Sequence, residues 1–571
     1  MSRRGGSAVR GAALLAAALY LGCVAASWDK PLVGDLVPYL WWARSIVETG
    51  VPLTVFNPDD EPYPGNLHPP LYPYLIAVSF RLFGDGVRSA VYVNLLAFIA
   101  TLGLTVLLAR RVAGNARAGW LTALLLLVHP FVIQGTLLVD TDTSILPLAM
   151  LGYVVLLLAM PAPLTAARLL VLGLAFGLCL WTKFATPLIL PVVTGLLLAL
   201  RGRPALGAAA GATIGAVGLA FFIGTHYVFA LVTGLDPWEP MAWPLSKAGQ
   251  DLGGNVHSWL GNILPTLKTD LLWYTPAFVA LVGLASVARI ARYRRERSLR
   301  EEDLIWLLGW LIYLTYTVVI PTDGRPRYKS ITLFLFAIPV AGLLAEALDR
   351  IVWTRRTLVL GGTAVAVALA YYAAQPELIA TATLMTGMAT MGARVTLLAV
   401  HVLPIVLTGL LVFGARPAGT PAAALGLLVI FGSAAVAIDV KQARSPSPHN
   451  LFGIGLSGFA ESVEFVRANA RRDELLFSFM DLPYYTRNPF YRYVEVTPTR
   501  RYIDVDRLRG ILARRDVKYW VFEIHRLRGA PEMYARPEVQ AFLAQEFCLL
   551  RRFGNYYIYG VRRAGLCNRS S

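Results

Sequence analysis

Long apolar runs separated by short arginine-bearing stretches occupy the first three quarters of the chain, after which polar and apolar positions mix as in a soluble domain. The apolar runs cover residues 11–27, 90–109, 118–134, 145–160, 169–181, 185–200, 206–232, 271–290, 304–320, 331–347, 357–374, 395–412 and 422–438. Several are shorter than the ~20 residues that a helix needs to cross a bilayer, so their boundaries are soft. The pattern therefore predicts an all-α polytopic membrane protein of about thirteen transmembrane helices. The first run could be mistaken for a secretory signal, but Ser27-Trp28-Asp29 offers no small-residue cleavage site, so it reads as a retained span.

The remainder predicts a small α/β domain over 451–571, joined to the membrane part (1–440) by the polar, proline-containing linker 441–450. Residues 459–470 have helical periodicity, 475–479 and 519–524 are strand-like, and Asp504 is placed to cap a helix running to Arg515. Residues 547–553 and 556–561 flank Gly554-Asn555 as a hairpin.

Composition agrees with the pattern. Of 571 residues 56% are hydrophobic and 15% charged, which excludes a soluble globular protein. The net charge of +17 would suggest nucleic acid as a partner in a soluble chain. Here the arginines mark alternate loops instead: Arg3, Arg4 and Arg10; Arg110, Arg111 and Arg117; Arg201 and Arg203; the cluster from Arg289 to Arg300; and Arg350, Arg355 and Arg356. Placing them in the cytoplasm predicts a multi-pass protein of the plasma (inner) membrane, with a cytoplasmic N-terminus and an extracytoplasmic C-terminal domain. Nucleic acid is then no partner. Of the four cysteines, Cys23 and Cys179 read as packing residues, whereas Cys548 and Cys567 flank the hairpin in an oxidising compartment and are expected to pair.

Three outer loops follow from this topology. The first, 28–88, carries Asp29, Asp35, Arg44 and the segment His68-Pro69-Pro70-Leu71-Tyr72-Pro73-Tyr74-Leu75, whose apolar part is too short to span and is expected to lie along the interface. The second, 135–144, holds Asp140-Thr141-Asp142. The third, 233–270, sets Trp238, Trp243 and Trp259 among Pro and Gly as an interfacial belt or a cover over a cavity. Asp35, Asp140, Asp142, Lys183 and the run Arg325-Pro326-Arg327-Tyr328-Lys329 thus converge on one membrane face. Carboxylates at membrane depth are costly and tend to be functional. Acids and bases gathered this way suit a reaction in which a carboxylate takes a hydroxyl proton while Lys or Arg stabilises a departing phosphate. Alternatives remain at each position: Asp35 as an interfacial or capping charge, Asp140 and Asp142 as a polar turn, Lys183 as a structural residue, His68 as an interface residue, and the run 484–493 as domain packing rather than a sugar-stacking surface.

The order of acidic first loop, HPPLYPYL, Asp-bearing second loop, LWTK (180–183) and RPRYKSITLFLFAIP (325–339) resembles the C-type (GT-C) membrane glycosyltransferases, in particular the branch of protein O-mannosyltransferases and aminoarabinose transferases. The resemblance covers residues 10–350 and implies a GT-C-like fold. It also implies a sugar donor linked to a polyprenyl phosphate and an extracytoplasmic acceptor hydroxyl on a glycolipid, cell-wall glycan or protein. Asp35 matches the family's base, which would make the enzyme inverting. Lys183, Arg327 and Tyr328 match the donor-phosphate site, with Arg44, His68 and Tyr72 as further candidates; His68 stands where the family often has lysine. Either Asp140 or Asp142 aligns with the second-loop acid, and the pair could hold a divalent cation, Mg²⁺ or Mn²⁺. The rival reading is a lipid-linked sugar flippase or transporter. An oligosaccharide-transferring or arabinan-building enzyme of the same superfamily is a third, and a strict metal requirement would favour the former.

Overall fold

The computed structural model describes residues 3–54, 57–59, 63–64, 69–160, 164–200, 204–238, 242, 263, 266–267, 270–271, 273–319, 326–351, 354–375, 378, 391–414, 419–444, 458–496, 501–523 and 530–569. In their described residues all thirteen apolar runs are helical apart from short turns and breaks. Among the described residues, seven helices are long and apolar enough to cross a membrane, and eight if one bent pair counts as a span. The other five runs form shorter helices or helix segments, including Ile145–Ala159, Ala166–Thr182 and Glu301–Leu314.

The bent pair departs from the single span expected over 118–134. Helix Ala116–Leu127 stops and Pro130–Leu137 restarts at 63° to it. The cause is local: Pro130 has no N–H to continue the ladder, and the His129 ring accepts the Phe131 N–H at 3.1 Å, capping a new helix. The break turns the chain so that Pro130–Leu137 delivers the second outer loop into the bundle.

At the centre stands Ser330–Asp349, with 83% of its apolar window buried. It packs against Ala116–Leu127, Val87–Ala113, Glu301–Leu314 and Gly419–Arg444. Glycines let other helices meet backbone to backbone. A Cβ on Gly218 of Pro204–Thr233 would lie 2.3 Å from the Phe176 ring and 2.7 Å from the Gly173 carbonyl on Ala166–Thr182, so no larger residue fits without separating the two helices.

The far ends of the bundle carry arginine networks. Arg289 and Arg292 pair with Glu302 and Asp303, and Arg117 pairs with Asp349. Opposite them, the end that holds the second outer loop also holds the C-terminal domain. Two short helices lie on that end, Val37–Thr49 and Leu71–Phe83. The second is the segment expected along the interface; the first, with Tyr39, Leu40, Trp42, Arg44 and Ile46 buried, was not foreseen.

Helix Gly419–Arg444 runs four residues into the expected linker, whose other residues lie outside the described ones. Beyond it, strands β1 (Leu53–Thr54) and β2 (Tyr63–Pro64) of the first loop pair antiparallel, as do β5 (Glu495–Val496) and β6 (Arg501–Tyr502). The main sheet comprises β3 (Leu475–Phe477), β4 (Phe490–Tyr491), β7 (Val517–Glu523), β8 (Phe547–Phe553) and β9 (Tyr556–Val561), in the order β4-β3-β7-β9-β8. β3 is parallel to β4 and β7, and β9 antiparallel to β7 and β8. Alternation along β7 sends Trp520 and Phe522 to one apolar cluster and Tyr519 and Val521 to the other. Asp504 caps Val505–Arg514 by accepting the Arg507 N–H, Gly554 takes φ 52° in the β8–β9 turn, and Cys548 is bonded to Cys567. Cys23 and Cys179 are buried free thiols.

Candidate active site

Three chain turns meet at the end of the bundle beneath the C-terminal domain. The 3₁₀ turn Thr141–Thr143 is held by its own side chains: Asp140 Oδ1 accepts the Asp142 N–H at 2.9 Å, and Ser144 Oγ donates to the Asp140 carbonyl at 2.7 Å. Thr141 Oγ1 ties it to the Thr182 carbonyl at 3.0 Å, the last residue of the helix that ends in Lys183. The 3₁₀ turn Pro326–Lys329 opens the central helix, and Ser330 Oγ at its first turn donates to the Asp142 carbonyl. The three turns therefore fix one another.

Their side chains form two ion pairs. Arg327 Nη1 lies 2.7 Å from Asp140 Oδ2, and Lys183 Nζ donates to both oxygens of Asp142 at 2.6 and 2.7 Å. Tyr328 lies beside both cations, its ring centre 4.2 Å from Lys183 Nζ and 5.4 Å from Arg327 Cζ. Asp140, Asp142 and Lys183 are 3, 2 and 8% exposed, so these charges sit in a low-dielectric pocket where each depends on its partner. Burial, with Asp140 nearby, holds the Asp142 carboxyl above its ordinary value despite Lys183. For Lys183, burial pulls the other way but is outweighed by Asp142, and its amine is held above its ordinary value. The cluster balances two cations against two anions. A bound phosphate would meet two oriented cations at the N-terminal end of a 20-residue helix, an arrangement suited to anions.

The first outer loop reaches the same place. Asp35 lies on the 3₁₀ turn Gly34–Leu36, its side chain outside the described residues, and Val37–Thr49 follows directly. Tyr39, four residues on, packs edge-to-face on Tyr72 with ring centres 5.2 Å apart. Burial, with Asp140 and Asp142 adding, holds the Tyr39 phenol well above its ordinary value, so it stays protonated beside the cluster. Tyr72 donates to Asn94 Oδ1 at 2.6 Å, and the Asn94 amide donates to the Thr136 and Leu138 carbonyls. Asn94 thereby links both outer loops to the helix Val87–Ala113.

Arg44 is not brought to the cluster. Its Nε donates to Asp85 Oδ2 at 2.6 Å, its Nη2 to the Tyr484 carbonyl at 3.3 Å, and it lies over the Tyr484 ring at 4.0 Å. Tyr484 and Tyr485, from the run weighed as a sugar-stacking surface, are buried or half-buried in this junction. His68, Arg325, Trp243 and Trp259 lie outside the described residues. As folded, the Asp140 and Asp142 oxygens are taken by Arg327, Lys183 and an N–H, so a divalent cation there would have to displace a side-chain cation. Among the described residues no group of three or more His, Cys, Asp or Glu side chains is gathered for a metal. Sequence reasoning missed Asn94 and Ser330, and it named Lys329 without its buried partner Asp270, 59 positions away.

Residues 67–227 match the family described as dolichyl-phosphate-mannose-protein mannosyltransferase. No curated protein sequence matches the chain. The crystal structure of ArnT from Cupriavidus metallidurans bound to undecaprenyl phosphate superposes with a TM-score of 0.58 at 17% identity, covering 96% of this chain and 97% of that one. Its apo form superposes with a TM-score of 0.57 at 17% identity, covering 97% and 98%. The segment that matches the mannosyltransferase family contains Tyr72, Asn94, Asp140, Asp142 and Lys183. The chain thus has the fold of ArnT over nearly its whole length, and within it residues 67–227 are similar to the mannosyltransferase family.

Proposed function

We propose that the chain transfers a sugar from a polyprenyl-phosphate donor to a hydroxyl of an extracytoplasmic acceptor, with inversion at the anomeric carbon. The observation that carries this reading is the buried pairing of Lys183 and Arg327 with Asp142 and Asp140 around Tyr328, with Tyr39, four residues after Asp35, close to both carboxylates. Asp35 takes the acceptor's hydroxyl proton as its oxygen bonds to the anomeric carbon. The bond from that carbon to the phosphate oxygen breaks, and the polyprenyl phosphate leaves with the electron pair. Lys183 and Arg327 stabilise the charge that grows on the leaving oxygen, and Asp140 and Asp142 keep both cations aimed.

The ArnT likeness supports a lipid-phosphate donor, since that protein was crystallised with undecaprenyl phosphate. The arginine networks at the opposite end support a cytoplasmic placement of that end and an extracytoplasmic placement of the site. Charges grouped in one pocket, rather than strung along the bundle, favour transfer over transport. Mass spectrometry of the lipid that co-purifies with the protein tests the donor class: a polyprenyl phosphate is expected. Release of free polyprenyl phosphate on adding acceptor then separates a transferase from a flippase, which would release none.

A further inference from the structure

The turn that carries Asp35 is gripped by a different part of the chain. Tyr485, on helix Asp481–Thr486 of the C-terminal domain, both accepts the Leu32 N–H and donates to the Leu32 carbonyl at 2.9 Å. Asp481 Oδ2 accepts the Gly34 N–H at 3.0 Å. Val33, between them, is buried in the C-terminal domain's own apolar cluster with Phe459, Val463 and Leu482. Trp41, one and a half turns beyond Asp35, donates its indole N–H to the Met480 carbonyl at 3.1 Å. These contacts join positions more than 400 residues apart. They satisfy backbone groups of a short loop, and Gly34 adopts φ 80°, a conformation most residues resist.

A catalytic base must be held to within a fraction of an ångström of its working position, and a 1 Å misplacement can cost ~10²-fold in rate. We propose that Asp481 and Tyr485 are positioning residues: the C-terminal domain fixes the backbone of Leu32 and Gly34, and so sets where Asp35 meets the acceptor. This inference rests on the reading of Asp35 as the base. Asp481 acts through its oxygen as a hydrogen-bond acceptor, not through its charge, so an amide in its place should serve equally.

The test uses the full chain in nanodiscs, with mannosyl undecaprenyl phosphate as donor probe and amide exchange as a readout independent of turnover. Tyr485→Phe removes one hydroxyl and leaves the ring packed. It should speed exchange at Leu32 and lower kcat by ~10-fold or more, within the ~10² expected of misplacement, with KM for the donor unchanged. Asp481→Leu should do the same at Gly34, and Asp481→Asn should restore both. Arg515→Ala, which breaks the outlying contact between the C-terminal domain and Asp59, should change neither. Added to Asp35→Asn, Tyr485→Phe should cost nothing further. Unchanged exchange at Leu32 in Tyr485→Phe, an Asp481→Asn protein as impaired as Asp481→Leu, or equal loss in Arg515→Ala would each overturn the inference. A fully active Asp35→Asn protein would instead overturn the base assignment, which the exchange measurements do not depend on.

Discussion

Lys183→Met removes a side chain that engages both oxygens of Asp142, and its consequences divide into two measurable parts. Breaking a buried ion pair by deleting one partner costs about 3–5 kcal/mol, because the remaining charge is stranded away from water. Asp142 is 2% exposed, so its stranding belongs in that range unless it takes up a proton, which its raised pKa makes easier. The second part concerns the donor. A charge-assisted hydrogen bond to phosphate contributes about 1.5–3 kcal/mol, or roughly 10- to 150-fold in affinity. The double variant Lys183→Met with Asp142→Leu separates the two, since replacing a buried pair by apolar residues is often neutral or stabilising. Thermal unfolding in detergent should show a large loss in the single variant and recovery in the double. Binding of undecaprenyl phosphate should be weakened in both. Wild-type affinity in either folded variant would refute the donor role of Lys183 and leave it structural.

Acidification should inactivate the wild type at a pH above the ordinary carboxylate range, because Asp142 holds its proton more tightly than a solvated aspartate and loses its grip on Lys183 when it gains one. The kcat/KM profile checks this; in Asp142→Asn activity should be lower and the acid limb should move to lower pH. The sign for folding is opposite, since a carboxyl with a raised folded pKa gains stability for the fold as pH drops through it. Gly218→Val should destabilise the protein by about 1–3 kcal/mol through overpacking against Phe176 and Gly173, read by thermal unfolding, and should also lower transfer because the displaced helix ends in Lys183. Removing the Cys548–Cys567 bond by the double serine variant should cost about 3 kcal/mol for a loop of this length, read as earlier unfolding of the C-terminal domain; alkylation of all four cysteines in non-reduced wild type would contradict the pairing.

The helices were legible because a membrane span writes itself in the sequence: an apolar run of the right length has no other solution in lipid. Pro130 carried its own warning of the break after Leu127, but a run of hydrophobicity from 118 to 134 masks a bend that costs no polarity. The hairpin at Gly554-Asn555 and the Asp504 cap were readable because both are local. Of the site, Asp140, Asp142, Lys183, Arg327 and Tyr328 could be named from their place at loop mouths, yet not their pairing. That Asp140 takes Arg327 while Asp142 takes Lys183 depends on the mutual fixing of three turns by Thr141, Thr182 and Ser330, contacts with no sequence period. Arg44 shows the same difficulty in reverse. It sits in the right loop, but Asp85 and Tyr484 claim it for the junction between the two domains. Val37–Thr49 went unread because its buried face meets other protein rather than lipid, and its mixed composition carries no membrane signal.

The central claim is that this chain is a transferase whose first-loop carboxylate removes the acceptor's proton, and Asp35→Asn tests it most directly, since the amide keeps the shape and removes the base. Transfer from the donor lipid should fall by about 10²- to 10⁴-fold, the scale of losing a general base, while undecaprenyl phosphate binds as tightly as to wild type or more so. A folded Asp35→Asn protein that transfers sugar at a near-normal rate would contradict the account and move the base to Asp140 or Asp142.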